Sequence, residues 1–206
     1  MVRTRKAPAD RRAQILQATF DLVTQQGYQS VSMRDVAARC GISKAAIYVY
    51  FPTKEALYNT VIQNALALRL QLIEAALTPD LPVYEQLFNV LHAVFHLTAY
   101  KSESMTSLIE LSHVYAEADL AAHKLAIVQM LTDIIATGEQ QGGIQLPVQL
   151  ASASDAAHLL IDAATGVAGT LDMHTDAPVD QQLRQKLSQL TSTFLCGWQS
   201  GTGHHR

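Results

Sequence analysis

The sequence is short of the features that usually announce chemistry. It has two cysteines in 206 residues, Cys40 and Cys196, too few for a disulfide framework. A reducing compartment, the cytoplasm, is therefore the expected home. No apolar run approaches the roughly 20 residues that span a bilayer, and no membrane partner is expected. The basic opening stretch MVRTRKAPADRR has no apolar segment behind it and is not expected to act as a secretory leader. Gly-x-Ser-x-Gly, the phosphate-binding loop and the dinucleotide fingerprint are all missing. No catalytic residue and no cofactor is expected, and the chain is read as a non-enzyme.

What is present is apolar material and an uneven distribution of charge. At 49% hydrophobic residues, the chain can bury a substantial core. The net charge of −3 conceals a split: residues 1–54 hold nine Lys or Arg against three Asp, whereas residues 55–206 hold six against fifteen acids. A basic head on an acidic body suits a protein that presents one end to a polyanion. Arg3, Arg5 and Lys6 precede Pro8 in a stretch without apolar periodicity. Such an arm either tracks phosphates or is simply solvated.

The informative stretch is residues 32–54, SMRDVAARCGISKAAIYVYFPTK. Ser32 followed three residues later by Asp35 is a capped helix start. Gly41 stops that helix, and Ser43 opens a second one over residues 44–50. Phe51-Pro52 closes it, because the residue before proline leaves the α region. Two short helices joined by a glycine-containing turn make a helix-turn-helix, whose second helix fits the DNA major groove. Lys44 and Tyr48 share a face with Ala45 and Val49, while Ala46, Ile47 and Tyr50 are expected to supply inward contacts. A structural hairpin with solvated lysines has the same outline. Thr53 is expected to cap a third helix that begins at Lys54, where an ammonium and free N–H groups suit a phosphate.

Residues 15–57 resemble the DNA-binding domain of TetR-family transcriptional repressors. The resemblance rests on Ile15-Leu16, Ala18, Leu22-Val23, Gly27-Tyr28, Val36-Ala37, Gly41-Ile42-Ser43-Lys44, Ile47-Tyr48, Tyr50-Phe51 and Lys54-Glu55-Ala56-Leu57. Two positions depart from it: Ala45-Ala46 stands where the family usually has Gly-Thr, and Tyr50 where it often has His. The resemblance implies an all-α protein of about nine helices. Residues 1–53 would form the DNA-binding domain with its basic arm, and residues 54–206 a ligand-binding and dimerisation domain. It further implies contact with a double-stranded operator through Ser32, Arg34, Ser43, Lys44, Ala45, Ala46, Tyr48, Val49, Tyr50 and Lys54.

Downstream, helical spacing predicts helices over 54–76, 83–100, 104–115, a long one capped by Asp119, then 153–173 and 180–198. In the helix over 54–76, Leu57, Val61, Ala65, Leu68 and Leu72 are spaced for a buried stripe. The helix over 153–173 is crowded with small residues, and that over 180–198 carries Leu183, Leu187, Leu190, Phe194 and Trp198. Two such helices per chain suit a homodimer built as a four-helix interface, with Leu160, Ala164 and Ala168 contributing; an ordinary core helix has the same pattern. By analogy with the family, a small apolar or aromatic effector would be enclosed by Phe88, His92, Phe95, His96, Leu108, Ser112, Tyr115 and Met130. His92 and His96 lie one turn apart and can hold a metal in principle, but such pairs are most often satisfied by hydrogen bonds, and no metal ligand is assigned. The reading is a ligand-responsive repressor. The alternative is a helical metal-binding protein or enzyme with a vestigial DNA-binding head.

Overall fold

A computed structural model describes residues 7–99, 117–146, 150–171 and 178–199, apart from the side chains of 97–99 and 196–199. The predicted helix over 104–115, and with it Leu108, Ser112 and Tyr115, lies outside the described residues, as do the basic arm and the Trp198 side chain. Among the described residues there are eight helices and no strand: α1 (Pro8–Gln26), α2 (Met33–Cys40), α3 (Lys44–Tyr50), α4 (Lys54–Glu74), α5 (Val83–Ala99), α6 (Glu117–Gln140), α7 (Ala153–Gly169) and α8 (Val179–Gln199). The described residues through 68, with 117–121, form one compact unit. Those of 69–99 and from 122 onward form a second.

The first unit is built on α1. Pro8 starts it at a position where a missing N–H costs nothing. Ile15, Ala18, Thr19, Leu22 and Val23 recur on one face and are buried. Against them lie Val31, Met33, Val36, Ala37, Cys40, Ile47, Phe51, Leu57, Tyr58, Val61 and Ile62. Thr19 is fully buried and donates its hydroxyl hydrogen to the Ile15 carbonyl at 2.8 Å, so its polarity is satisfied within the helix.

The second unit packs α5 most extensively against α8, with α7 against both. Its core takes Leu87, Val90, Leu91 and Val94 from α5, Ile127, Leu131 and Ile135 from α6, Ala156, Ala157, Leu160 and Ala164 from α7, and Leu183 and Leu187 from α8. By length and apolar composition α6 is the one described helix capable of crossing a membrane. Its buried residues, His123, Ile127, Val128, Leu131, Ile134, Ile135 and Gly138, recur at core-helix spacing along one face instead.

Three helices differ from their sequence patterns. In α4, Leu57 and Val61 are buried as expected, but Leu68 is 58% and Leu72 48% exposed. Ile62 and Ile73 are buried as well; eleven residues apart, they share a face, and Leu68 and Leu72 are turned about 80–140° away from it. Asp119 lies inside the first turn of α6, where its carboxylate accepts from Gln63 Nε2 at 3.2 Å. The pattern running to Met173 stops at Gly169. There the Thr170 hydroxyl turns back to the Val167 carbonyl at 2.8 Å, and Lys186 Nζ donates to Thr170 O and Oγ1 at 3.0 and 2.7 Å. An ammonium on the last carbonyls complements the negative end of the helix dipole.

Candidate nucleic-acid interface

The interface is assembled by caps. Ser32 Oγ accepts from the Asp35 N–H at 3.3 Å, and the Asp35 carboxylate accepts from the Ser32 N–H at 2.9 Å, closing a reciprocal capping box. The Ser32 hydroxyl, which donates to the Asp35 carboxylate at 2.5 Å, and then the Ser32 N–H hold the Asp35 carboxyl below its ordinary value. Gly41 takes φ 65°, ψ 35°, the left-handed conformation that lets its own N–H and that of Ile42 return to the carbonyls of Ala38 and Ala37. Ser43 Oγ then accepts from Ala46 N–H at 3.1 Å and starts α3.

In α3 the side chains are sorted. Ile47 is fully buried and Phe51 nearly so. Lys44, Ala45, Tyr48 and Val49 are exposed, Tyr48 to 39% and Val49 to 80%. Lys44 Nζ lies 5.8 Å from the centre of the Tyr48 ring, so the two project as a pair. Ala46 and Tyr50 are half-buried at the margins, Tyr50 packing against the core. Ser32, Arg34 and Ser43 are exposed. At the start of α4, Thr53 Oγ1 accepts from the Ala56 N–H at 3.0 Å, and Lys54 Nζ sits 5.0 Å from the centre of the Tyr58 ring. Tyr58 is anchored in turn by donating to the Val31 carbonyl at 2.9 Å. Sequence reasoning missed Arg12, whose guanidinium lies 4.7 Å over the Phe51 ring and ties α1 to the exit of α3. No short-range signal marks that contact, which joins residues far apart in the chain.

In the second unit, Tyr84, Phe88, His92 and His96 stack down one side of α5, with successive ring centres 6.4, 5.9 and 5.0 Å apart. The column meets α8. Tyr84 Oη and Ser188 Oγ are 2.8 Å apart, and the Asp180 Oδ1 atom receives His92 Nε2 at 2.9 Å and His96 Nδ1 at 2.7 Å. Arg184 Nε donates to the other Asp180 oxygen at 2.9 Å. Burial pushes the Asp180 carboxyl upward, but the bonds from Arg184, His92 and His96 outweigh it and hold the group well below its ordinary value. Burial lowers His92 against the pull of that carboxylate. Phe95 is buried in the core with Val94, and Met130 is half-buried against the same core. Of the predicted effector residues, the structure thus brings Phe88, His92 and His96 together.

A second polar cluster was not foreseen. Arg69 on α4 donates to the Val94 carbonyl at 3.0 Å and to His123 Nε2 at 3.1 Å. His123 is 5% exposed, and burial first, then the Arg69 charge, push its pKa down to about 4. Burial also lowers the Arg69 guanidinium, and its Nε has no hydrogen-bond partner.

The residues predicted for a dimer interface divide. Leu160, Ala164, Leu183 and Leu187 are fully enclosed within the core of their own chain. Ala168, Leu190 and Phe194 are half-buried against that core. The outward side of α7 carries Leu159, 50% exposed.

The paired short helices, the left-handed glycine between them and the exposed face of α3 define a helix-turn-helix protein of the transcription-regulator class. Residues 15–61 match the family described as "Bacterial regulatory proteins, tetR family". The chain is 33% identical over 85 residues to the uncharacterized HTH-type transcriptional regulator YhgD of Bacillus subtilis (strain 168), covering 41% of this chain and 44% of that protein. It is 28% identical over 180 residues to the HTH-type transcriptional regulator UidR of Escherichia coli (strain K12), covering 84% and 89%. The match thus spans less than half the length of YhgD, but most of UidR. A crystal structure of a TetR transcription regulator from Haloarcula marismortui ATCC 43049 has the same fold, with TM-score 0.70 at 22% identity over 92% of this chain and 98% of that one. Residues 15–61 thus match the helix-turn-helix region of the tetR-family regulators, and the chain is similar along most of its length to HTH-type transcriptional regulators.

Proposed function

We propose that this protein is a dimeric repressor that binds a palindromic operator and is released from it by an apolar or aromatic small molecule. The observation that carries the DNA half of the reading is the surface of α3. Val49, a large apolar residue 80% exposed, stands beside Tyr48 and Lys44 on a helix whose Ile47 is fully buried. An apolar side chain held out in this way suits a thymine methyl in the major groove, and the lysine and phenol flanking it suit phosphate oxygens. Arg34 and Lys54 extend the phosphate contacts along the backbone. Ser32, Ser43 and the small Ala45 and Ala46 allow close approach. Two recognition helices on one duplex require two copies of the chain, because half-sites lie about one helical turn apart. An effector acts by favouring a conformation in which the two heads no longer match that spacing. Its enclosure is assigned to the second unit, with Phe88, Phe95 and Met130 as apolar walls.

The test uses a duplex selected from a random-sequence pool by the purified protein. Lys44→Ala and Tyr48→Ala are expected to abolish tight binding. With any residual Lys44→Ala affinity, the slope of log K against log salt should fall by about one. A correctly folded Tyr48→Ala protein that binds the selected duplex like the parent would overturn the assignment.

A further inference from the structure

His92 and His96 stand one helical turn apart on α5, and Asp180 stands in the first turn of α8. Their ligand-capable atoms converge: His92 Nε2, His96 Nδ1 and a carboxylate oxygen of Asp180 all lie within 4.8 Å of one another. Both nitrogens meet the same oxygen, Oδ1, at 2.9 and 2.7 Å. A tetrahedral zinc ion with bonds of about 2.0–2.1 Å holds its ligand atoms about 3.3 Å apart. The nitrogen-to-oxygen distances therefore need to open by only about half an ångström to admit the ion. The second oxygen, Oδ2, is fixed by Arg184 Nε at 2.9 Å. That bond turns Oδ1 toward the imidazoles, the outer-shell arrangement that orients a ligating carboxylate. The histidines are equally constrained, since Phe88 stacks on His92 at 5.9 Å and His92 on His96 at 5.0 Å.

We propose that His92, His96 and Asp180 form a three-ligand site for a divalent zinc-class cation, joining α5 to α8. Two imidazole nitrogens and one carboxylate oxygen suit zinc and its borderline neighbours better than calcium or magnesium, which prefer all-oxygen shells. On binding, the protons that Nε2 of His92 and Nδ1 of His96 now share with the carboxylate leave for the other ring nitrogens or for solvent, and the metal takes their place. The fourth position goes to water or to a donor atom of a bound effector. This inference does not depend on the operator reading: zinc affinity and DNA affinity are separate measurements.

The experiment is calorimetric titration of the chelator-stripped full chain with zinc alone, repeated with cobalt(II) to read the coordination number from its visible spectrum. One zinc per chain is expected, with a four-coordinate cobalt spectrum and a rise in melting temperature on loading. The His92→Gln/His96→Gln double variant should lose that binding, Asp180→Asn should weaken it by at least about tenfold, and Arg184→Gln should weaken it by about tenfold as an orienting partner. Asp180→Asn is nearly isosteric, so it keeps the test valid if the double variant fails to fold. The proposal is overturned if the parent binds no zinc at about 100 μM. It is also overturned if zinc binds Asp180→Asn or the folded double variant as tightly as the parent.

Discussion

At the scale of single residues, the Arg69–His123 pair is the most consequential feature that a regulator reading does not require. A guanidinium withdrawn from water normally finds a carboxylate, but here the acceptors are the Val94 carbonyl and a neutral imidazole. Since arginine only donates, His123 Nε2 must accept, and protonating that ring would set two cations against each other. Burial first, and then this repulsion, lower the His123 pKa from 6.5 to about 4. Between those values the unfolded chain binds a proton that the folded chain refuses. The stability this group contributes is thus fully present above pH 6.5 and is lost as pH falls toward 4. The expected loss across that window is about 2 kcal/mol after allowance for solvent screening. Urea denaturation at a series of pH values should show it. His123→Gln keeps an acceptor but cannot titrate, so its profile should be flatter over the same range; an unchanged profile would refute the assignment. Such long-range pairings were illegible in the sequence. His92 and His96 announced themselves through i, i+4 spacing, but their partner Asp180 lies 88 and 84 residues away, and nothing local distinguishes it from any acidic residue in a first helical turn.

At the scale of elements, what could be read was whatever is fixed within four residues. Ser32 with Asp35, Gly41 and Ser43 each act on their immediate neighbours, and each performs the predicted task. Ser32→Ala should therefore cost about 1 kcal/mol of stability through the lost cap, seen as a lower melting temperature. The misjudged elements are those whose ends or faces depend on distant partners: α7 stops where Lys186 reaches Thr170, and Leu68 and Leu72 lie off the face that Ile62 and Ile73 bury. Gly138 gives a sharper test of packing. A Cβ built there would stand 2.7 Å from Val83 Cγ2 and 3.2 Å from Ile144 Cγ1. The valine is stiff about χ1 and cannot easily swing away. Gly138→Ala should then destabilise the second unit by about 1–3 kcal/mol despite the better helix propensity of alanine. Val83→Ala on the same background should recover part of that loss. If Gly138→Ala alone raises the melting temperature, the close approach of α6 to the start of α5 is wrong.

At the scale of the whole molecule, charge and association matter most. The excess of Lys and Arg in residues 1–54 over an acidic remainder was legible because it needs only counting. A face for a second copy was not, since several residues of the apolar stripes of α7 and α8 lie in the chain's own core. Leu160, Ala164, Leu183 and Leu187 are fully buried there, whereas Leu159 is half exposed on the other side of α7. This separates two substitutions at adjacent positions. Leu160→Ala removes a core side chain and should cost about 2–5 kcal/mol of folding stability. Leu159→Glu places a charge where the isolated chain meets solvent, so it should leave the circular dichroism and melting of the monomer nearly unchanged. If α7 presents this face to a second copy, the charge will be buried on association, and sedimentation should shift from dimer to monomer. Operator affinity should fall with it, by about a hundredfold or more, because the second head would no longer bind at the high effective concentration its tethering provides. A Leu159→Glu protein that stays dimeric and keeps its operator affinity would place the interface on another surface of the second unit.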